Sequence, residues 1–241
     1  ALVAFDPPTR SADAVAAPEQ ATSRGVRAFV SPGLVAALGA AVGATIVLAG
    51  TDVGVVAVLR EHGAVTLTGV IFVFWGLGSM LGATVYGALK RPISPLVLLA
   101  GLAVLTVPVG LAGSPWALAA LIVPAGALCA PVVTATADEI ARRVPEQVRG
   151  EAMGWHGSAL TVGNAVGAPL AGASIDAVAP WAGFAVVGAT GLVLALLGLA
   201  AMRLFGRRPA AAEPATDAGG TRPVAGVGEI IDGEAAEPLT R

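Results

Sequence analysis

The strongest constraint on this chain is a series of long stretches without a single Asp, Glu, Lys or Arg. The longest covers 46 residues, 92–137, and ends at a dense cluster of charge that begins at Asp138. Charged residues make up 12% of the chain, against ~25% in ordinary globular domains. Hydrophobic residues make up 56%, and the mean hydropathy is +0.81. This pattern predicts an all-α membrane protein and not a soluble domain with a large core.

The charge-free stretches predict six transmembrane helices. A helix needs about 20 apolar residues to cross a bilayer, so the stretch 92–137 holds two of them. Gly and Pro end helices, which places the hairpin between those two at Gly113-Ser114-Pro115-Trp116. The predicted helices cover residues 33–58, 64–89, 93–112, 116–137, 152–176 and 181–203.

The two ends of the chain differ in composition from the helical region, 33–205. Residues 1–32 form a polar segment rich in Pro and Ala, without the pattern of a core helix or a signal peptide. Residues 206–241 combine Pro, Gly and acidic residues, so we expect a disordered tail. The first five residues would suit the last turn of a preceding apolar helix, which indicates a fragment of a longer protein.

The basic residues predict the orientation, because cytoplasmic connectors carry an excess of Lys and Arg. With six spans, all but one of the 14 basic residues fall on the side that holds both termini, and only Arg60 falls on the other. We therefore expect both termini in the cytoplasm and the helices in the plasma (cytoplasmic) membrane. The basic residues of the cytoplasmic side are Arg10, Arg24, Arg27, Lys90, Arg91, Arg142, Arg143, Arg149, Arg203, Arg207, Arg208, Arg222 and Arg241.

Glycine and proline recur inside the predicted spans. Small residues four apart share a helix face and let backbones approach closely, so we predict tight packing at three glycine pairs, with direct substrate contact as the alternative. Proline removes a backbone donor and tends to kink a helix. The pairs are Gly39 with Gly43, Gly78 with Gly82, and Gly163 with Gly167; the prolines are Pro108, Pro124, Pro131 and Pro169.

Polar side chains at membrane depth are costly, so each is a candidate functional group. Asp52, near the outer end of the first helix, is either an outer-gate or proton-linked carboxylate or an interfacial carboxylate. Asn164 is the best candidate for a buried polar group, and its amide then needs a partner on a neighbouring helix or a ligand. Five further side chains either line a cavity or serve packing and backbone hydrogen bonding: Trp75, Ser79, Tyr86, Thr134 and Thr136.

Enzyme and metal motifs fail their context tests. The glycines of 76–82 lack the lysine and the preceding strand of a phosphate loop. His156 and Ser158 lie two apart on one helix and point in different directions, so they do not form the serine–histidine pair of an intramembrane protease. Cys129 is the single cysteine, and no paired histidines or acidic clusters suggest a metal. We predict a protein that is not an enzyme and has no cofactor or nucleic-acid partner.

The charged connector and the fifth helix resemble the second half of a major facilitator superfamily transporter. The stretch 138–154, with its acidic start, Val144-Pro145 and Arg149-Gly150, resembles that family's connector between its tenth and eleventh helices. The stretch 163–172 is similar to the Gly- and Pro-rich eleventh helix.

The end of the second helix resembles the family's cytoplasmic loop Gly-x-x-x-Asp-Arg-x-Gly-Arg-Arg. Gly82 and the final basic pair match, whereas Tyr86 replaces the acid and Gly87 the arginine, which weakens the case for a charge-relay role. The candidates for a cytoplasmic gate are Gly82, Tyr86, Lys90, Arg91, Asp138, Arg142 and Arg149.

The resemblance implies the C-terminal six-helix half of a transporter that works by alternating access, driven by a proton or solute gradient. The first and fourth helices would line a central cavity, and the second and fifth would meet an N-terminal six-helix half, supplied by the same full-length chain or by a second copy. Residues 1–32 would link the halves. The partners are then the lipid bilayer, the other half and an unknown small-molecule substrate.

The apolar, charge-poor cavity favours efflux of a small molecule. Because no basic residue lies in mid-span, a strongly anionic substrate such as phosphate is disfavoured. The alternative is a membrane scaffold that transports nothing and recruits a partner through its tail.

Overall fold

The computed structural model describes residues 30–89 and 91–205, and six α-helices account for most of them. The predicted end segments 1–32 and 206–241 lie almost wholly outside the described residues. The described residues contain no strand. The helices are α1 (Pro32–Glu61), α2 (Thr68–Ala88), α3 (Pro95–Thr106), α4 (Pro115–Arg143), α5 (Arg149–Ala177) and α6 (Pro180–Phe205). Short 3-10 segments cover Val65–Leu67, Val107–Leu111 and Glu146–Val148.

Serine and proline mark where helices begin. The Ser31 and Ser114 hydroxyl oxygens accept hydrogen bonds from the backbone N–H groups of Leu34 and Ala117, each at 3.2 Å. Proline follows directly in both cases and is the first residue of α1 and α4. Proline lacks the backbone donor that a helix start leaves unpaired, so this Ser-Pro order defines both boundaries.

Pro108 has a larger effect on the third helix than a kink. The α-helix ends at Thr106, and the chain continues as a 3-10 helix to Leu111. A 3-10 helix rises further per residue, so the 17-residue segment Pro95–Leu111 extends about 28 Å. Pro124, Pro131 and Pro169 lie inside continuous α-helices.

Four helical segments are long and apolar enough to cross a membrane. The third helix is shorter than that length, and α5 is rich in Gly and Ala and carries charge at both ends. The helix positions therefore agree with the sequence prediction, whereas apolar length supports four spans directly and not six. The four segments are Pro32–Glu61, Val65–Ala88, Pro115–Arg143 and Pro180–Leu204.

Helix α1 is the centre of the bundle. It packs extensively against α5 and α6 and also against α3 and α4, while α2 packs mainly on α4. Helix α6 also contacts α3 and α5. Much of α1 is consequently buried, although its sequence is no more apolar than that of α6.

Glycines create the two closest helix contacts. A Cβ added at Gly78 or Gly82 of α2 would overlap the backbone carbonyls of α4, and one at Gly163 or Gly167 would overlap those of α1. The predicted packing role is confirmed at these four positions and at Gly43, where a Cβ would meet Leu99 and Leu194. It is wrong for Gly39, because nothing lies within 4 Å of a Cβ built there.

Candidate functional site

A cleft with two carboxylates and one guanidinium lies at one end of the bundle. It has a volume of about 560 Å³ and is formed by α1, α2 and α5, with Asp52, Arg60 and Asp176 as its charged residues. The rest of its lining is apolar: Val53, Val56, Ala57, Phe72, Gly172 and Ile175.

Two helices, α1 and α5, bring the charged groups together. Asp52 and Arg60 lie eight residues apart near the end of α1, a spacing that keeps them on similar sides of the helix, and Asp176 is the penultimate residue of α5. All three are exposed, and within residues 30–89 and 91–205 no ion pair joins Arg60 to either carboxylate. The cleft therefore offers free negative charge beside an apolar wall and an aromatic ring.

Sequence reasoning selected Asp52 but missed Asp176. The available signal was its isolation, because Asp176 is the single charged residue between the stretches 152–175 and 177–202. From sequence alone, a single charged residue at that position indicates a connector between two helices. The structure shows that Asp176 lines a cleft together with residues of α1. In the described part of the chain, no group of three or more His, Cys, Asp or Glu is placed to hold a metal ion.

Other polar candidates are not brought into this cleft. Trp75 is buried in a core cluster with residues of α1 and α4, and Ser79 is half-buried. Thr134 is exposed. The expected burial of Asn164 is wrong: its residue is exposed, because α5 buries Gly163 and Gly167 against α1 and leaves Asn164 outside that contact.

Thr136 instead joins a buried hydrogen-bond chain between α4 and α5. Its hydroxyl donates to the Val133 carbonyl oxygen at 2.7 Å and lies 3.0 Å from Nε2 of His156, whose residue is 5% exposed. Since the hydroxyl has one proton, it accepts from the Nε2–H of His156. Ser158 donates to the carbonyl of Gly154. His156 is thus a link between helices and not part of a serine–histidine pair.

Replacing Thr136 by valine should destabilise the bundle, because it leaves the His156 Nε2–H buried without an acceptor. We expect a loss of about 1–2 kcal/mol in the free energy of unfolding in detergent micelles. Thr134→Val, on the exposed side of the same helix, is the control and should change it by less than about 0.5 kcal/mol. Equal effects of the two variants would contradict the assigned bond.

A comparison with protein-family models identifies the family. The model described as Major Facilitator Superfamily matches residues 28–235, which include every described helix. This chain belongs to the Major Facilitator Superfamily. No curated protein and no solved structure matches it. Members of this superfamily are transporters, and the all-helical fold with four apolar spans fits an integral membrane protein.

The last turns of α4 hold an ion-pair cluster that sequence reasoning only partly found. Glu139 accepts hydrogen bonds from Arg142 Nη2 and from Arg143 Nε, each at 2.7 Å, and also from Arg143 Nη2. The Arg143 guanidinium lies against Gly33, where an added Cβ would overlap it. Glu139 and Arg143 therefore connect the end of α4 to the start of α1.

Two further gate candidates lie near that cluster: Asp138 precedes Glu139 in α4, and Tyr86 of α2 is within electrostatic range of Asp138, Glu139 and Arg142. Gly82 serves the contact between α2 and α4, and Tyr86 is half-buried. Arg91, Asp138 and Arg149 are exposed, and Lys90 lies outside the described residues.

Proposed function

We propose that this chain is the C-terminal six-helix half of a secondary transporter that exports a small cationic or apolar molecule by alternating access. The cleft at Asp52 and Asp176 is the observation that carries the proposal. It combines two carboxylates, neither of which has an ion-pair partner among the described residues, with an apolar wall and the ring of Phe72. This arrangement suits a lipophilic cation.

Six spans are compatible with the helix dimensions. The segment Pro95–Leu111 extends about 28 Å, close to the ~30 Å hydrocarbon thickness. Helix α5 has 29 residues and extends roughly 44 Å, so it is long enough despite its lower apolarity. A polar, Gly-rich fifth helix would be tolerated where it faces another protein half and not lipid.

The orientation follows from the connectors. Arg91 lies between α2 and α3, Arg142 and Arg143 end α4, and Arg149 begins α5, so these helix ends face the cytoplasmic side of the plasma membrane. The cleft lies near the C-terminal ends of α1 and α5, which are the ends away from these basic residues. In this orientation the cleft opens toward the outside. Export to that side is consistent with an outward-facing cation site.

Alternating access requires helices that move as units against the proposed N-terminal half. The glycine contacts tie α1 to α5 and α2 to α4, and the hydrogen bond between Thr136 and His156 ties α4 to α5. Asn164 is exposed on α5, the helix that we assign to the contact between the halves. Thr134 is exposed on α4, the helix that we assign to the cavity.

Flux of a lipophilic cation is the direct test. The natural protein, reconstituted in liposomes, should transport a permanently charged aromatic phosphonium across the membrane when an imposed ion gradient supplies the driving force. No flux of that cation or of an uncharged apolar analogue, with correct insertion verified by protease accessibility, would reject the transporter. The intact mass of the natural protein tests the half assignment separately: we expect about twice 23.6 kDa.

Deleting residues 209–241 distinguishes the transporter from a scaffold that recruits a partner through its tail. We expect cation flux within about twofold of the unaltered protein, because the cleft and all described helices precede the deletion. Loss of function with normal insertion would favour the scaffold.

A further inference from the structure

An apolar groove, separate from the charged cleft, runs between α2, α3 and α4. Its volume is about 280 Å³, and Tyr86 is the one lining residue with a polar side chain. Six of its apolar lining residues define it here: Leu81, Val85, Leu89, Ile93, Leu128 and Pro131.

The groove results from how two helices rest on a third. Helix α2 is held on α4 at Gly78 and Gly82, while α3 approaches α4 where a Cβ at Gly101 would lie 2.9 Å from Leu128. Leu128 and Pro131 therefore form a floor, and Leu89 and Ile93 line one end.

The wall of the groove is suited to a hydrocarbon chain. Leu81 and Val85 are 58% and 64% exposed, and their side chains offer no hydrogen-bonding group. Within the depth of a membrane, a polar solute in this groove would lose its hydration without compensation, whereas a hydrocarbon chain would not.

A basic residue flanks the end of the groove. The acidic residues within electrostatic range of Tyr86 are Asp138 and Glu139, and Glu139 is paired with Arg142 and Arg143. Arg91 lies two residues from both Leu89 and Ile93, is exposed, and has no ion-pair partner in the part of the chain that the structure describes. A guanidinium binds phosphate in a bidentate manner, and basic residues at the cytoplasmic surface attract anionic lipids.

We propose that the groove holds one acyl chain of an anionic phospholipid whose phosphate is bound by Arg91. This inference rests on the membrane orientation of the proposed function but not on transport. It gives Arg91 a role in lipid recognition. The charge relay of the family loop is disfavoured here because Tyr86 and Gly87 replace its acid and its arginine.

The test is lipid retention by the natural protein, measured by native mass spectrometry after equal exposure to phosphatidylglycerol and phosphatidylcholine. We expect phosphatidylglycerol to be retained preferentially, at one molecule per chain. Arg91→Gln should lower that preference about fivefold, which is the value of one basic residue at a membrane surface. Arg149→Gln, at the first residue of α5 and outside the groove lining, should leave it unchanged.

A second variant tests the groove itself. Val85→Trp should lower retention of both lipids because its indole covers the groove, whereas Val73→Trp, exposed on α2 but outside the lining, should not. Three results would overturn the proposal. They are equal retention of the two lipids, displacement of the bound lipid by inorganic phosphate, and a dimer in which a second copy of the chain covers the groove and excludes lipid. Lipid selectivity without cation flux would reject the transporter alone.

Discussion

Replacing Gly167 by leucine should prevent α5 from packing on α1. A Cβ at this position would lie 2.5 Å from the carbonyl oxygen and 2.8 Å from the Cα of Ile46. Backbone atoms cannot rotate away as a side chain can, so the helices must separate. We expect a loss of at least about 3 kcal/mol in the free energy of unfolding, the upper end for overpacked sites, measured by denaturant titration in detergent micelles.

Gly157 of the same helix provides the matched control. A Cβ built there meets nothing within 4 Å. Gly157→Leu should keep or slightly raise stability, because leucine is favoured over glycine in a helix by about 0.8 kcal/mol. Gly167→Ala should fall between the two. If Gly167→Leu unfolds at the same denaturant concentration as the unaltered protein, the contact between α1 and α5 is wrong.

Replacing Asp52 by asparagine should reduce flux of a lipophilic cation at least tenfold. The change keeps the size of the side chain and removes the charge that faces the apolar wall of the cleft. A tenfold change corresponds to about 1.4 kcal/mol of binding free energy, within reach of one carboxylate–cation contact at a partly hydrated site. The measurement is initial flux in liposomes across a range of cation concentrations.

Two comparisons make the result specific. Asp176→Asn should weaken cation flux in the same direction, whereas Asp138→Asn, at the opposite end of the bundle, should have little effect on cation affinity. An uncharged apolar analogue should be carried equally well by Asp52→Asn and the unaltered protein. Equal loss for charged and uncharged solutes would show that Asp52 supports the structure and does not recognise charge.

The positions of the helices were predictable because they depend on local properties. Apolar length, the Ser-Pro starts at residues 31 and 114, and the charged residues on both sides of the junction between α4 and α5 each depend on a short stretch of chain. Glycine spacing similarly predicted where α2 and α5 come close to a neighbour. It failed at Gly39 because spacing alone does not say which neighbour, if any, faces the glycine.

Which residues come together in each site depends on the tertiary structure. Asp52 and Asp176 lie more than a hundred residues apart in the chain, and the same holds for Thr45 and Gly163 at the contact between α1 and α5. The hydrogen bond from His156 to Thr136 likewise joins two different helices. In an apolar helix many faces are equally able to be buried, so sequence periodicity does not choose among them.

By itself the sequence determined a membrane-embedded helical chain, its segment boundaries and its family resemblance, because hydrophobic length and charge act on each segment independently. Only the tertiary structure decided that Asn164 is exposed, that Asp176 joins Asp52, and that an apolar groove lies between α2, α3 and α4. Those outcomes follow from backbone contacts at particular glycines, which set how each helix is rotated against its neighbour.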